Sequence, residues 1–412
     1  MSAKQTYSKP QANWPNLPPE IWTLIFRHAT LVPDLLSTDL DNYDKHDPAM
    51  RRQRKSFKQP ESLVTRRCLV LVCKAWYANA ICFLYESLWL GRGKDVATLF
   101  EALRRSHNVS SDATLPLGWW TKRIDVAMRD STNDPNRDVA LVGDIIAMLP
   151  NLSIIILDVM GHLYFSKVRN FPSSVLLSTS PENLKVAYCC CLDVVPHRDD
   201  WLPFLNSRPH LRSISDFDPI DYPFKYQGIP HCLSSLTSIH ISHSWTLDLL
   251  RYLELPNLQH LTYCIDDLYR DLPSPGPLFR KHGVQLRSLA LNFLTPWMID
   301  LILETCPNLV ILELIVESWT DLTTDITTFP PINLIKIASR KLQGKSAFYS
   351  RMFDFVVQAK TICPTLKTVR LSDERNVAGL KTHPRLLRDQ LEVLRAAGVA
   401  FEDAEGRLLH PG

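Results

Sequence analysis

Nine times between residues 149 and 371 the chain returns to one phrase: a turn residue, most often Pro, then a leucine and a short alternating apolar run. It reads LPNLSIIIL from Leu149, LPNLQHLTY from Leu255, CPNLVILEL from Cys306 and CPTLKTVRL from Cys363. The lead leucines are Leu152, Leu184, Leu211, Leu236, Leu258, Leu286, Leu309, Leu334 and Leu366, spaced by 22 to 32 residues with a mean of about 27. One short strand cannot bury its apolar side alone, so neighbouring units must stack into a solenoid. The fold class is therefore α/β, with short parallel strands alternating with helices. KRIDVAM (122–128) supplies an earlier strand, and residues 137–149 and 295–306 have helical apolar steps, the second opening on Thr295 and Pro296. The connector 217–230 is proline-rich and irregular, so the repeats are degenerate.

Strand alternation then sorts the side chains. It places Tyr188, Ser215, His240, Thr262, Ala290, Glu313, Lys336 and Arg370 on the concave side, with Ser213, Ser238, His260, Ser288 and Thr368 beside them. Small and polar residues there suit a protein-binding surface. Tyr188, His240, His260, Thr262, Glu313 and Arg370 are the candidate target-binding residues.

Apolar residues make up 45% of the chain, enough for a sizeable core, and the net charge of +3 is too small to argue for nucleic acid or membrane as principal partner. No run approaches the roughly 20 apolar residues a membrane helix needs. The N-terminus lacks the apolar region of a secretory signal, which predicts a reducing compartment, cytoplasmic or nuclear. The ten cysteines include no CxxC pair, and Cys189-Cys190-Cys191 lies in a strand-like run, so free thiols are expected.

Upstream of the repeats the pattern is helical. Asn16 can cap a helix whose first turn holds Pro18 or Pro19 and Glu20, followed by Ile21, Leu24, Ile25 and Phe26, with Trp22 on a flank. A second helical run spans residues 65–84, with Leu69, Val72, Cys73, Trp76, Ala80 and Phe83 at helical steps. Both runs are apolar over more than one stripe, which calls for a second surface to cover them.

LPPEIWTLIF followed downstream by LVLVCKAWY resembles an F-box, whose pattern is Leu-Pro-x-Glu, an apolar helix, then a Val-Cys-x-x-Trp-like helix. The flanks RHAT and FLYESLWL resemble those of F-box proteins of mushroom-type fungi, and the array is similar to their leucine-rich-repeat half. The resemblance implies all-α F-box helices at residues 14–92, after a disordered tail at 1–13 and before a leucine-rich-repeat-like solenoid at 93–412. A polar insertion at about 33–62 is longer than the usual F-box connection, and its RRQRKSFK run (51–58) reads as a solvated basic loop or a nuclear-localisation patch. In that family the surplus apolar surface packs on a Skp-type adaptor, and through it on a cullin–RING ligase. Leu17, Pro18, Ile21, Ile25 and Phe26 match the contact positions of the first helix; Leu69, Val72, Cys73 and Trp76 match those of the second. The implied function is substrate recognition for a Skp–cullin–F-box ubiquitin ligase, with an unknown target protein on the concave face. The alternative is a non-catalytic scaffold acting outside ubiquitin transfer.

No enzyme activity, cofactor, metal site or nucleic-acid partner is expected. Gly344-Lys345-Ser346 lacks the earlier glycine of a P-loop, since position 339 is serine. GxSxG, HExxH and GxGxxG are absent. His240, His243 and His260 read as surface residues, and Asp199-Asp200 and Asp266-Asp267 as loop residues.

Overall fold

A computed structural model describes residues 17–33, 35–38, 59–109, 115–127, 135–157, 179–189, 203–215, 232–241, 250, 253–264, 274–323, 326–341 and 344–410. The expected tail at 1–13, Asn16, the basic run 51–58, most of the insertion at 33–62, the connector 217–230, Cys190, Cys191, His243 and both Asp pairs lie outside the described residues. Contacts divide the chain into two compact units: Met1–Val32 with Lys58–Tyr85, and Pro33–Phe57 with Glu86–Gly412.

Unit one is helical, with α1 (Pro19–Thr30), α2 (Gln59–Val72) and α3 (Lys74–Glu86). Pro18 occupies the cap position of α1 and Pro19 its first turn, where a missing N–H costs nothing. The expected single helix over 65–84 is two helices, broken at Cys73. Its thiol accepts from the Trp76 amide (3.4 Å) and its carbonyl from the Tyr77 amide (2.9 Å), so Cys73 caps α3 instead of continuing α2. At the other end of α1, the carbonyl of Thr30 accepts from Ser62 Oγ (2.7 Å) and Arg66 Nη2 (3.3 Å), which joins α2 to α1. The core is Phe26, Ala80 and Phe83, with Trp22, Leu69 and Trp76 packed against it. Trp22, Phe26 and Trp76 form an aromatic triad with centroids 4.9 to 5.6 Å apart.

Unit two carries a parallel sheet of twelve strands among the described residues, ordered as in the sequence. The strands are β1 (Ser87–Leu90), β2 (Arg123–Val126), β3 (Ile154–Leu157), β4 (Val186–Cys189), β5 (Ser213–Ser215) and β6 (Ser238–Ile241), then β7 (His260–Tyr263), β8 (Ser288–Leu291), β9 (Ile311–Val316), β10 (Leu334–Ser339), β11 (Thr368–Leu371) and β12 (Ala400–Glu402). Among the connectors are α4 (Gly93–Val109), α5 (Pro135–Ala147), α6 (Gly276–His282), α7 (Pro296–Thr305), α8 (Ser346–Ile362), α9 (Glu374–Lys381) and α10 (Pro384–Ala396). Each new strand adds beside the last, as a repeat stack requires. Ser87–Leu90, inside the range expected for the F-box, is thus the first strand of the sheet.

One backbone ladder sets the register. In nine consecutive repeats a single carbonyl accepts two successive amides of the next: Lys122, Ser153, Lys185, Arg212, Thr237, Gln259, Arg287, Val310 and Asn333 all do so, at 2.8 to 3.2 Å. The ladder corrects one repeat. Leu334 lies in register with Ile311, so the lead position there belongs to Ile332, which is fully buried. Ile332 and Leu334 are two apolar residues two positions apart, and only the bonds from Asn333 and Leu334 to the Val310 carbonyl choose between them.

The Pro-Asn-Leu phrase also staples repeats together. Asn151 Nδ2 donates to the Trp119 carbonyl (2.8 Å), Asn257 Nδ2 to that of Ser234 (2.6 Å) and Asn308 Nδ2 to that of Val284 (2.7 Å). In two of these joints a glycine lets the backbones meet: Gly118 lies against the Met148 carbonyl and Gly283 against that of Thr305.

His282, buried at the end of α6, gives this stack a pH dependence. Burial and then the neighbouring Lys281 ammonium hold its pKa below the usual imidazole value, against the opposing pull of Glu254. The carbonyls of Leu253 and Leu250 approach the ring, but neither nitrogen reaches hydrogen-bond geometry. The folded state therefore binds this proton less readily than the unfolded chain, and stability falls as pH drops through the unfolded value near 6.5. The urea midpoint is expected to decline between pH 7.5 and 5.5, and His282→Leu to flatten that part of the profile; parallel profiles would sink the assignment.

Candidate functional site

Two surfaces collect the sequence-predicted residues, one in each unit. In unit one the nine F-box-type contact positions separate by role. Phe26 is fully buried, and Leu69 and Trp76 pack on the core it forms. Phe26 thus lies in the unit's interior in place of the open contact position expected, and Leu69 and Trp76, half-buried, give one side to the same core. Leu17 is half-buried, while Pro18, Ile21, Ile25, Val72 and Cys73 are exposed. The structure adds Leu24, Leu71 and Tyr77, with Leu71 the most open at 81%. Leu24 and Leu71 each stand two residues from a core neighbour, Phe26 and Leu69, which is about 200° around the helix and hence the opposite face. That offset was readable in the sequence. After closing its core, the unit still exposes Ile21, Leu24, Ile25, Leu71, Val72 and Tyr77 to solvent.

In unit two the predicted alternation holds. The core side carries Ile124, Ile155, Ile214, Ile239, Leu261, Leu289, Leu312, Ile335 and Val369, all buried. On the opposite side Ile156 stands beside Tyr188; Ser215 beside His240, followed strand by strand by Thr262, Ala290, Glu313, Lys336, Arg370 and Glu402.

That side is not uniformly open, contrary to the expectation of a continuous concave binding surface. From β2 to β5 it is closed: Arg123, Asp125, Ile154, Ile156, Val186, Tyr188, Ser213 and Ser215 are all buried. Ile154, Ile156, Val186 and Tyr188 form an apolar cluster of their own, and Tyr188 Oη shares a hydrogen bond with Ser213 Oγ (2.8 Å). Arg123 forks onto Asp125 through Nε–Oδ2 (2.8 Å) and Nη2–Oδ1 (2.9 Å), and its Nη1 donates to the Leu35 carbonyl (2.7 Å). Leu35 belongs to the segment expected as a polar insertion; here it is buried and tied to β2.

From β6 onward the side opens in part. His240, His260, Ser288, Ile311, Leu334, Lys336, Thr368, Arg370 and Glu402 are half-exposed, whereas Thr262 and Glu313 are buried beneath them. The charges there are internally matched. Glu313 accepts from Ser372 Oγ (2.8 Å) and lies 3.9 Å from Lys336 Nζ, and Arg370 donates twice to Glu402 Oε2 (2.9 and 2.7 Å). A charge reversal at Glu313 would therefore disturb folding as well as binding, so Arg370 is the cleaner probe. Among the described residues no group of three or more His, Cys, Asp or Glu could hold a metal ion, and no helix is long and apolar enough to cross a membrane. Gly344-Lys345-Ser346 leads into α8.

No protein-family model matches the chain, and no curated protein matches it either.

Proposed function

We propose that the protein is a substrate-recognition adaptor of a Skp–cullin–F-box ubiquitin ligase, with unit one docking a Skp-type adaptor and unit two taking a target protein. The observation that carries this reading is the set of exposed apolar side chains left once unit one has closed its core: Ile21, Leu24, Ile25, Leu71, Val72 and Tyr77. Their hydration is unfavourable, and a second apolar surface would relieve it. The F-box-like LPPEIWTLIF and LVLVCKAWY segments make a Skp-type adaptor the occupant with the best match.

In this reading the chain catalyses nothing. Its contribution is positional: a target held beside a ubiquitin-charged enzyme presents its lysines at a raised effective concentration. The half-open part of the sheet from β6 to β12 is where a target fits, with His240, His260 and Arg370 reachable and Tyr188, Thr262 and Glu313 supporting the surface from within.

Co-purification with a Skp-type adaptor and a cullin tests the first half. The full chain is expected to capture both. Ile25→Asp and Leu71→Asp are expected to weaken adaptor capture by 100-fold or more with unchanged circular dichroism, because each would bury an unpaired carboxylate in the interface. Unchanged capture by both variants would sink the reading. Capture of the adaptor without cullin would move the function to a scaffold outside ubiquitin transfer. Trp76→Asp is unsuitable, since Trp76 lies within the unit's aromatic core.

A further inference from the structure

The carbonyl ladder that sets the register also lines up the side chains of the residues that supply it. From Lys122 to Lys367 this row has ten positions, one per strand from β2 to β11, and five are basic: Lys122, Lys185, Arg212, Arg287 and Lys367. None is acidic; the others are Ser, Thr, Gln, Asn and Val. Lys122 is paired with Glu86 at 3.0 Å. The remaining four make no ion pair among the described residues, and Arg212, Arg287 and Lys367 are exposed, with Lys185 half-exposed. The exposed cations that form no pair are thus held at fixed positions along one rim by backbone bonds, at steps of about 4.8 Å per strand.

We propose that this rim is a docking surface for an extended acidic segment of a partner protein. Charge complementarity names the partner's sign, and the spacing names its form. Lys185 to Lys367 spans seven strand steps, roughly 34 Å, which an extended peptide of about ten residues covers. The row contains no aromatic residue, so it lacks the base-stacking platforms that single-stranded nucleic acids use. Gln259 and Asn333 place exposed side-chain amides between the charges, whereas the Ser153 and Thr237 hydroxyls donate back to the Lys122 and Arg212 carbonyls. This row adjoins the half-open face between β6 and β12, each row residue there standing one position before the first residue of its strand, and the inference does not depend on the ligase reading.

The probe is a fluorescein-labelled peptide about ten residues long with glutamate at alternate positions, its binding to the full chain read by anisotropy at low and physiological salt. The fourfold variant Lys185→Gln, Arg212→Gln, Arg287→Gln, Lys367→Gln is expected to bind at least tenfold more weakly than wild type. The matched variant Arg351→Gln, Lys381→Gln, Arg385→Gln, Arg388→Gln removes the same charge from exposed helix positions and is expected to bind like wild type. Equal loss in both variants, or no binding by wild type, would overturn the proposal, the first by reducing it to bulk charge. Tighter binding of an RNA or DNA probe of equal charge, lost only in the rim variant, would overturn the choice of an acidic polypeptide. Adaptor capture by the rim variant is expected to be unchanged, so failure here and failure of the ligase reading are distinguishable.

Discussion

Gly118→Ala and Gly283→Ala will each shift the denaturation midpoint of the protein sharply downward. A Cβ at Gly118 would stand well inside van der Waals contact with the Met148 carbonyl oxygen, and one at Gly283 would stand 2.5 Å from that of Thr305 and 3.0 Å from Cys306 Sγ. Neither obstacle is the end of a flexible side chain: the Met148 carbonyl belongs to the turn after α5 and the Thr305 carbonyl to the last residue of α7, each on the backbone that leads into the next repeat's strand. Relief therefore requires one repeat to move against its neighbour. The same joints carry the Asn151 and Asn308 staples, so such a shift strains those hydrogen bonds too. Overpacking typically costs about 1–3 kcal/mol, and the upper end applies where backbone must give. Gly344→Ala is the control, because no atom among the described residues lies within 4 Å of a Cβ built there. Urea unfolding with a midpoint equal to wild type for Gly118→Ala would show that the joint is looser than this account requires.

Removing one member of the Arg123–Asp125 pair is the second change of large effect. Both side chains are buried, the fork is two-pronged, and the third guanidinium nitrogen is held by the Leu35 carbonyl. Arg123→Met removes the two-pronged cationic partner of a buried carboxylate, which costs about 3–5 kcal/mol, whereas Arg123→Met with Asp125→Leu removes both charges together and costs clearly less. Denaturation of the two singles and the double closes the cycle. A double variant as unstable as the sum of the singles would mean that the two groups are not coupled. The pair also ties the segment after α1 to β2, so limited proteolysis near Leu35 is expected to accelerate in Arg123→Met.

Much of the fold was legible because burial on one side of a strand imposes a period of two, and stacking imposes a repeat. Eight of the nine lead leucines, the strand at residues 122–128 and the sorting of Tyr188, His240, Thr262, Glu313 and Arg370 to one side all came from those periods. The strands at both ends were missed for the same reason. SLWL at β1 falls in the FLYESLWL flank, inside the all-α range 14–92 that the F-box resemblance implies, and AFE at β12 is too short to show alternation. In unit one, the apolar excess of both helical runs was visible, but the break at Cys73 was not. A cysteine inside an apolar run carries no stop signal until its sulfur is seen accepting an amide hydrogen.

The sequence by itself determined which side chains share a face, because periodicity is a local property of backbone geometry. What covers each face is a matter of tertiary contact, and there only the structure could decide. It turned Phe26, Leu69 and Trp76 inward to fill the core of unit one, and left Leu24 and Leu71 outside. It buried Tyr188, Thr262 and Glu313 while leaving His240, His260 and Arg370 half-open. It chose Ile332 over Leu334 by a pair of backbone hydrogen bonds, since two apolar residues of like size and alternating position are energetically equivalent until a neighbouring strand supplies the acceptor.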